Sequence, residues 1–381
     1  MPINYQQLKE FRRLLHKYPE VSGKEKETSE TVYNLLKNCD PTTLTKNIGG
    51  FGILATWDSL KKGQEILFRA ELDALPIKET NNFKHASVNP NISHKCGHDG
   101  HSTILCGVAQ YLAQNKPLEG KIHLLFQPAE ENGKGAKAML ADKKIAHIKP
   151  NLVFALHNLP GFKLNKIVVR ENTFTAAVTS IIINLEGKTS HAAEPENGIN
   201  PALAVAQIIN ESLAKQNNNV ASDQMKIITP VYIKLGEKAY GISAGKATIH
   251  FTLRCWNDAN LRKLENEIKT LSTKISKQQQ LDLSFNFTEI FSANINNKEA
   301  TNLVIKCAQL NNFSVVNNST PFKWGEDFGL FTSQYKGCMF GIGSGLKTPA
   351  LHNPDYDFPD ELLKTGITIF NEIINKTLLK K

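Results

Sequence analysis

EILFRAELDALP, residues 65–76, runs apolar through Ile66, Leu67, Phe68 and Ala70 and then turns at once to carboxylates at Glu71 and Asp73. A short apolar run that ends abruptly in polar residues reads as a buried strand delivering chemistry at its carboxyl end. Two later stretches follow the same script. KIHLLFQPAEENG, residues 121–133, ends in Glu130 and Glu131, and NLVFALHNLPG, residues 151–161, ends around His157. Between the first two lies STILCGVAQYLA, residues 102–113, with a helical pattern. Upstream, ETSETVYNLLKN, residues 27–38, is helical, and GGFGILATW, residues 49–57, reads as a turn into a strand. Alternating strands and helices predict a doubly wound α/β domain with a mixed sheet. Ligands of such sheets bind outside the carboxyl ends of the strands, where Glu71, Asp73, Glu130, Glu131 and His157 all fall.

From about residue 174 the rhythm changes. The spacing predicts a strand over 176–186, a helix from Asn200 with Pro201 in its first turn, strands near 225–235 and 246–255, a long helix, and a strand over 281–288. Leu261, Leu264, Ile268, Leu271 and Ile275 recur at three and four along the long helix. The order βαββαβ is that of a ferredoxin-like α+β module, inserted as residues 174–291 between two segments of the larger domain, 1–173 and 292–381. CMFGIGSG, residues 338–345, resumes the strand-then-glycine pattern, and a helix closes the chain.

Composition sets bounds on function. A chain of 381 residues and 42.3 kDa is too long for one ordinary core. Its 41% hydrophobic and 21% charged residues are those of a globular protein. No apolar run approaches the roughly 20 residues of a membrane span, and MPINYQQLKEFRRLLHKY lacks the apolar core of a signal peptide, so a cytoplasmic protein with no membrane partner is expected. Cysteines 39, 96, 106, 255, 307 and 338 show no paired spacing, which suits free thiols. The net charge of +9 is spread thinly, without a helix-turn-helix, zinc-finger or aromatic-basic motif, so no nucleic-acid partner is expected.

The densest chemistry lies in HKCGHDGH, residues 94–101. Cys96 and His98 can offer a thiolate and an imidazole to a divalent ion from one turn preceding a helix, and His101, a helical turn further on, can support them. In PAEENG, two adjacent carboxylates repel each other and are costly in a crevice unless cations compensate. One of the pair can bind metal while the other takes the proton of the attacking water. His157 ends an apolar strand and His352, in ALHNPDYDFPD, follows a strand and a glycine turn. His16, His85, His123, His147 and His250 have unrelated neighbours and read as surface or core residues.

CGHDGH, FQPAEE, LHNLPG and LHNPDYDF, in that order, together with RAELDALPIKE, resemble the M20 metallopeptidase family over nearly the whole chain. The nearer resemblance is to the amidohydrolase branch that includes hippurate hydrolases, N-acetyl-diaminopimelate deacetylases and plant auxin-conjugate hydrolases. It implies two divalent ions (Zn, Mn, Co or Ni) held by Cys96, His98, Glu131, His157 and His352, with Cys96 bridging. Glu130 is then the general base, and Asp73 orients or tunes a metal ligand. In GKTSHAAEP, His191 is the implied oxyanion donor. The larger domain is implied to be catalytic and the inserted module a lid or dimerisation domain. WGEDFGLF, residues 324–331, resembles the SEDF motif that lines the family's site.

The chain departs from the family at Glu71, where aspartate is frequent, at Glu194 and Glu196, after the histidine-alanine-alanine segment, and at Gly241, where relatives tend to carry asparagine. The function implied is hydrolysis of the amide bond of a small-molecule N-acyl amino acid by a homodimeric metal enzyme. The alternatives are a dipeptidase or aminoacylase of the same family and a catalytically silent metal-binding interaction protein.

Overall fold

A computed structural model describes residues 3–379, which divide into two compact units. The first comprises residues 3–174, 294–319 and 326–379, and the second residues 175–293 and 320–325.

The first unit is built on one eight-stranded mixed sheet. Its order is Thr43–Ile48, Gly52–Asp58, Lys121–Gln127, Glu65–Glu71, Leu152–Pro160, Gly337–Gly345, Ile167–Val169 and Val315–Asn317. Glu65–Glu71 runs parallel to both neighbours, as does Leu152–Pro160, so the ends carrying Glu71, Gln127 and His157 point the same way. Period-two alternation then sorts the side chains. Ile53, Ala55 and Trp57, Ile66, Phe68 and Ala70, Ile122, Leu124 and Phe126, and Phe154 and Leu156 all enter one core. That core is closed by helices Tyr5–Lys17, Lys26–Lys37, His98–Leu112, Lys298–Leu310 and Leu362–Ile374. Arg69 and Glu71, Gln127, and Ala155 and His157 have the opposite parity, and Arg69 pairs with both Leu125 and Ala155. The chemistry-bearing residues therefore share the other face of the sheet, where two short helices, Gly135–Leu140 and Gly329–Thr332, pack against its strands.

Helix His98–Leu112 begins four residues before the apolar pattern does, so His98 opens the helix instead of preceding it. Its polar first turn is hidden from periodicity because each side chain is matched by a buried partner. Asp99 meets His16 at 2.9 Å and Arg12 at 3.3 Å, and Ser102 donates to the Glu71 carbonyl.

In the second unit, strands Lys226–Leu235, Lys246–Cys255, Ala177–Glu186 and Asp282–Phe291 form a sheet in that order, every pair antiparallel. Helices Ala202–Leu213 and Asp258–Gln278 share its core through Ala204 and Ile208 and through Leu261, Leu264, Ile268, Leu271 and Ile275. The chain order is βαββαβ. Phe322 bridges to Thr175, which ties residues 320–325 to this unit.

His16, read from sequence as an ordinary surface or core residue, lies in a buried ionic network. Nδ1 faces Asp99 Oδ2 at 2.9 Å and Nε2 faces Glu79 Oε1 at 3.0 Å. Two carboxylates on two ring nitrogens call for the doubly protonated ring. Burial opposes that charge, but the bonds to Asp99 and Glu79 outweigh it and raise the pKa to about 9. The folded chain thus holds this proton more tightly than the unfolded one. The resulting stabilisation, on the order of 3 kcal/mol, is complete below about pH 6.5 and disappears as pH rises through about 9. Urea unfolding followed from about pH 6 to about pH 9.5 is expected to show that loss, and His16→Gln is expected to flatten it.

Candidate metal centre

Each donor but His352, which lies in a turn, is presented by the backbone near the end of a sheet strand or the start of a helix. Gly97, between Cys96 and His98, has φ of +98°, and a Cβ there would lie 2.3 Å from Asn158 Oδ1. Glycine thus allows Cys96 and His98 to turn inward together. Glu130 and Glu131 follow the strand Lys121–Gln127, after Ala129 in the left-handed region at φ +53°. His157 lies on the strand Leu152–Pro160. His352 is tied to the Cys96 loop by its backbone N–H, which donates to the Lys95 carbonyl at 2.8 Å.

The side chains converge. Cys96, His98 and His157 place donor atoms within 4.8 Å of one another; so do Cys96, Glu131 and His352, and so do His98, Glu130 and Glu131. These overlapping triplets bring together all five residues expected to ligate metal, plus Glu130. His157 Nδ1 donates to the Asn158 carbonyl at 2.9 Å, which leaves the Nε2 lone pair facing Cys96 Sγ at 3.5 Å. His98 Nδ1 likewise donates to the Asp73 carbonyl at 2.9 Å. Its Nε2 lies 3.8 Å from Glu131 Oε1 and 3.9 Å from Glu130 Oε2 without a hydrogen bond, and Glu131 Oε1 is also unpartnered. His352 Nε2 stands 3.6 Å from Glu131 Oε2, with its side chain 52% exposed where Glu131 is half-buried and the others are buried. Donor atoms of His98, Glu131 and His352 converging at separations too long for hydrogen bonds, beside the Cys96–His157 contact, fit cation ligands, and the thiol, imidazole and carboxylate set suits a borderline divalent ion.

The electrostatics agree. Burial, and then Glu326 and Glu131, push Glu130 well above the usual carboxylate range. Burial raises Glu131 to about 7, and burial with the nearby glutamates raises the Cys96 thiol. Burial is the first cause of each shift, neighbouring carboxylates add to it, and His98 opposes it at Glu131; a cation bound among them would favour the charged forms.

Asp73 supports both halves of the cluster. Its Oδ1 lies 3.4 Å from His98 Nδ1, and its Oδ2 accepts from the Glu131 backbone N–H at 2.9 Å and from Ser22 Oγ at 2.7 Å. Glu71 also lies within 4.8 Å of His98 in a group with His101, but its hydrogen bonds run elsewhere. It is held by Arg69 and by His101 Nδ1 at 2.7 Å, and His101 reaches Asn158 through its other nitrogen. His191 lies in the second unit, exposed, on the short ladder Ser190–His191 with Ile242–Ser243, and its Nδ1 accepts from Ala193 N at 3.1 Å. Glu194 and Glu196 are exposed just beyond it, and the Gly241 carbonyl accepts from Ala192 N at 2.9 Å.

The sequence reading missed the knot beneath Glu130. Arg69, wholly buried, contacts Glu71 and meets Glu326 at 3.0 Å and Asp327 at 2.6 Å. Asp327 also accepts from Gln127 Nε2 at 2.7 Å and Ala136 N at 2.9 Å. A lone arginine inside EILFRAE was the available signal, since a charge on a buried strand must be paired. Arg69→Met leaves three buried carboxylates uncompensated and is expected to cost about 3–5 kcal/mol in chemical denaturation.

Comparison with known proteins follows the same lines. Peptidase family M20/M25/M40 matches residues 67–376. Hippurate hydrolase of Campylobacter jejuni is 29% identical over 378 residues, covering 98% of this chain and 97% of its own. N-acetyl-L-cysteine deacetylase of Bacillus subtilis is 31% identical over 352 residues, 90% of this chain and 82% of its own. The structure of the Bacillus subtilis YXEP protein, described as a dinuclear metal binding peptidase from the M20 family, matches with a TM-score of 0.83 at 24% identity over 99% of both chains. With most of its length matched by the family and by these relatives, the chain belongs to peptidase family M20/M25/M40.

Proposed function

We propose that the chain is a metal-dependent amidohydrolase that cleaves the amide bond of N-acyl amino acids. The observation that carries this reading is the buried His98 Nε2 facing Glu130 and Glu131, two carboxylates with different surroundings. Glu131 also lies beside Cys96 and His352, whereas Glu130 lies beside Glu326 and Asp327. A structural ion needs only the first of these glutamates; hydrolysis needs both. The names of the relatives, hippurate hydrolase and N-acetyl-L-cysteine deacetylase, support an acyl-amino-acid substrate.

Cys96, His98, Glu131, His157 and His352 would hold two divalent ions, zinc or manganese among the candidates. Such ions supply Lewis acidity, polarising a carbonyl oxygen and acidifying water. Glu130 takes the proton of the attacking water and returns it to the departing amine. Asp73 fixes the His98 ring and the Glu131 backbone. His191 is assigned to oxyanion stabilisation by resemblance.

The second unit acts as lid and homodimerisation module. Supporting this, strand Lys226–Leu235 lies at the edge of its sheet with Val231, Tyr232, Ile233 and Leu235 between 43% and 56% exposed, a row that invites pairing with another copy. A cytoplasmic location is supported by six free, buried cysteines.

Glu130→Gln is expected to keep bound metal while kcat on N-acetyl or N-benzoyl amino acids falls by about 10²–10⁴. Turnover close to wild type would overturn the assignment. Asp73→Ala is expected to weaken metal affinity about 10- to 100-fold, read by calorimetric titration. Dipeptides tested beside the acyl amino acids separate amidohydrolase from dipeptidase.

A further inference from the structure

We propose that Glu25 is a positioning residue for the glutamate pair, its carboxylate holding the turn that presents Glu130 and Glu131. The assignment rests on the reading of those two glutamates given above. Glu25 occupies the residue before helix Lys26–Lys37, where an acidic side chain would ordinarily cap the helix, yet it makes no capping bond. Its side chain turns away and is wholly buried. One oxygen, Oε1, accepts from Gly23 N at 2.7 Å and from Ala129 N at 2.8 Å. The other, Oε2, is buried without a hydrogen-bond partner.

Ala129 is the residue immediately before Glu130. Its φ of +53° is a conformation that costs an alanine roughly 1–2 kcal/mol and persists only where surrounding groups enforce it. The enforcement is visible on both sides. The Ala129 carbonyl accepts from Lys134 N and Gly135 N, and the Glu130 carbonyl accepts from Gly133 N at 2.7 Å. Gly135 packs so closely that a Cβ would lie 1.8 Å from the Pro128 carbonyl oxygen. Glu25 fastens the remaining donor, the Ala129 N–H.

The segment EVSGKE, residues 20–25, also reaches the other glutamate. Ser22 Oγ donates to the Asp73 oxygen that receives the Glu131 N–H, and Val21 pairs with Ala74 beside it. One hexapeptide thus holds the Ala129 N–H directly and the Glu131 N–H through Asp73. Reacting groups displaced by about 1 Å can lose about 10²-fold in rate, so release of this clamp acts on turnover.

The test compares Glu25→Ala, Glu25→Gln and Glu25→Asp in the metal-loaded protein and, for amide hydrogen exchange across residues 129–133, in the metal-free protein. Glutamine keeps an oxygen that can accept both N–H groups, alanine removes it, and aspartate keeps the charge but withdraws the oxygen by one methylene. Glu25→Ala and Glu25→Asp are expected to lower kcat about 10- to 100-fold, with KM within about twofold and metal content unchanged, and to speed exchange at residues 129–133. Glu25→Gln is expected to stay within about threefold of wild type in kcat, with wild-type exchange. Should Glu25→Ala not fold, the aspartate and glutamine variants decide, because the proposal requires glutamine to outperform aspartate. Wild-type kcat and exchange in Glu25→Ala, or a Glu25→Gln as impaired as Glu25→Asp, overturns it. Glu130→Gln assayed in parallel reports on the underlying reading. If that variant keeps full turnover, the catalytic role of Glu130 falls while the exchange measurement still decides whether Glu25 holds the turn.

Discussion

The structure of the first unit is governed by the need to neutralise carboxylates out of reach of water. Glu71, Asp73, Glu130, Glu326 and Asp327 are buried and Glu131 is nearly so, all gathered at the ends of neighbouring strands. Removing charges from water costs several kcal/mol each unless partners replace the solvent. The protein answers in two ways. On the sheet face, Arg69 supplies a permanent positive charge to Glu71, Glu326 and Asp327, with Gln127 and the Ala136 N–H completing the shell of Asp327. Further along the strands, Glu131 is grouped with imidazoles and a thiol, while Glu130 lies beside His98, Glu326 and Asp327, with Arg69 acting on it from the knot below. The unevenness of this compensation distinguishes a scaffold from a centre built for cations.

Backbone geometry serves the same end. Gly97 lets the Cys96 loop turn directly into a buried helix, and Ala129 turns the strand Lys121–Gln127 into the loop of glutamates. Both positions lie at the ends of the sheet, where the strand ladder no longer fixes the chain. Side chains take over that task. Asn158 lies against Gly97, Asp73 binds the Glu131 N–H, and Glu25 binds the Ala129 N–H. Behind them, the Arg12, His16 and Asp99 network anchors the first turn of His98–Leu112 to the N-terminal helix. Its ionic character explains how a largely buried helix can begin with histidine and aspartate.

Much of this was legible before any coordinates. Apolar runs ending in Glu71, Glu130 and His157 determine parallel strands whose polar ends point one way, because period-two burial and abrupt polar stops leave few other arrangements. The spacing of Leu261 to Ile275 determines a long amphipathic helix for the same kind of reason. The residue types themselves, thiol, imidazole and adjacent carboxylates, determine the chemistry on offer, since these are the side chains that ligate divalent ions.

Tertiary structure alone decided how those groups are partnered. That Glu71 is held by Arg69 and His101, that His16 carries a proton between Asp99 and Glu79, and that Glu25 leaves its own helix to hold Ala129 are contacts across 2, 30, 63, 83 and 104 positions of chain. Local pattern reports which residues are buried and at what period. Which buried charge meets which depends on where distant strands and loops arrive, and that information exists only once the sheet has formed.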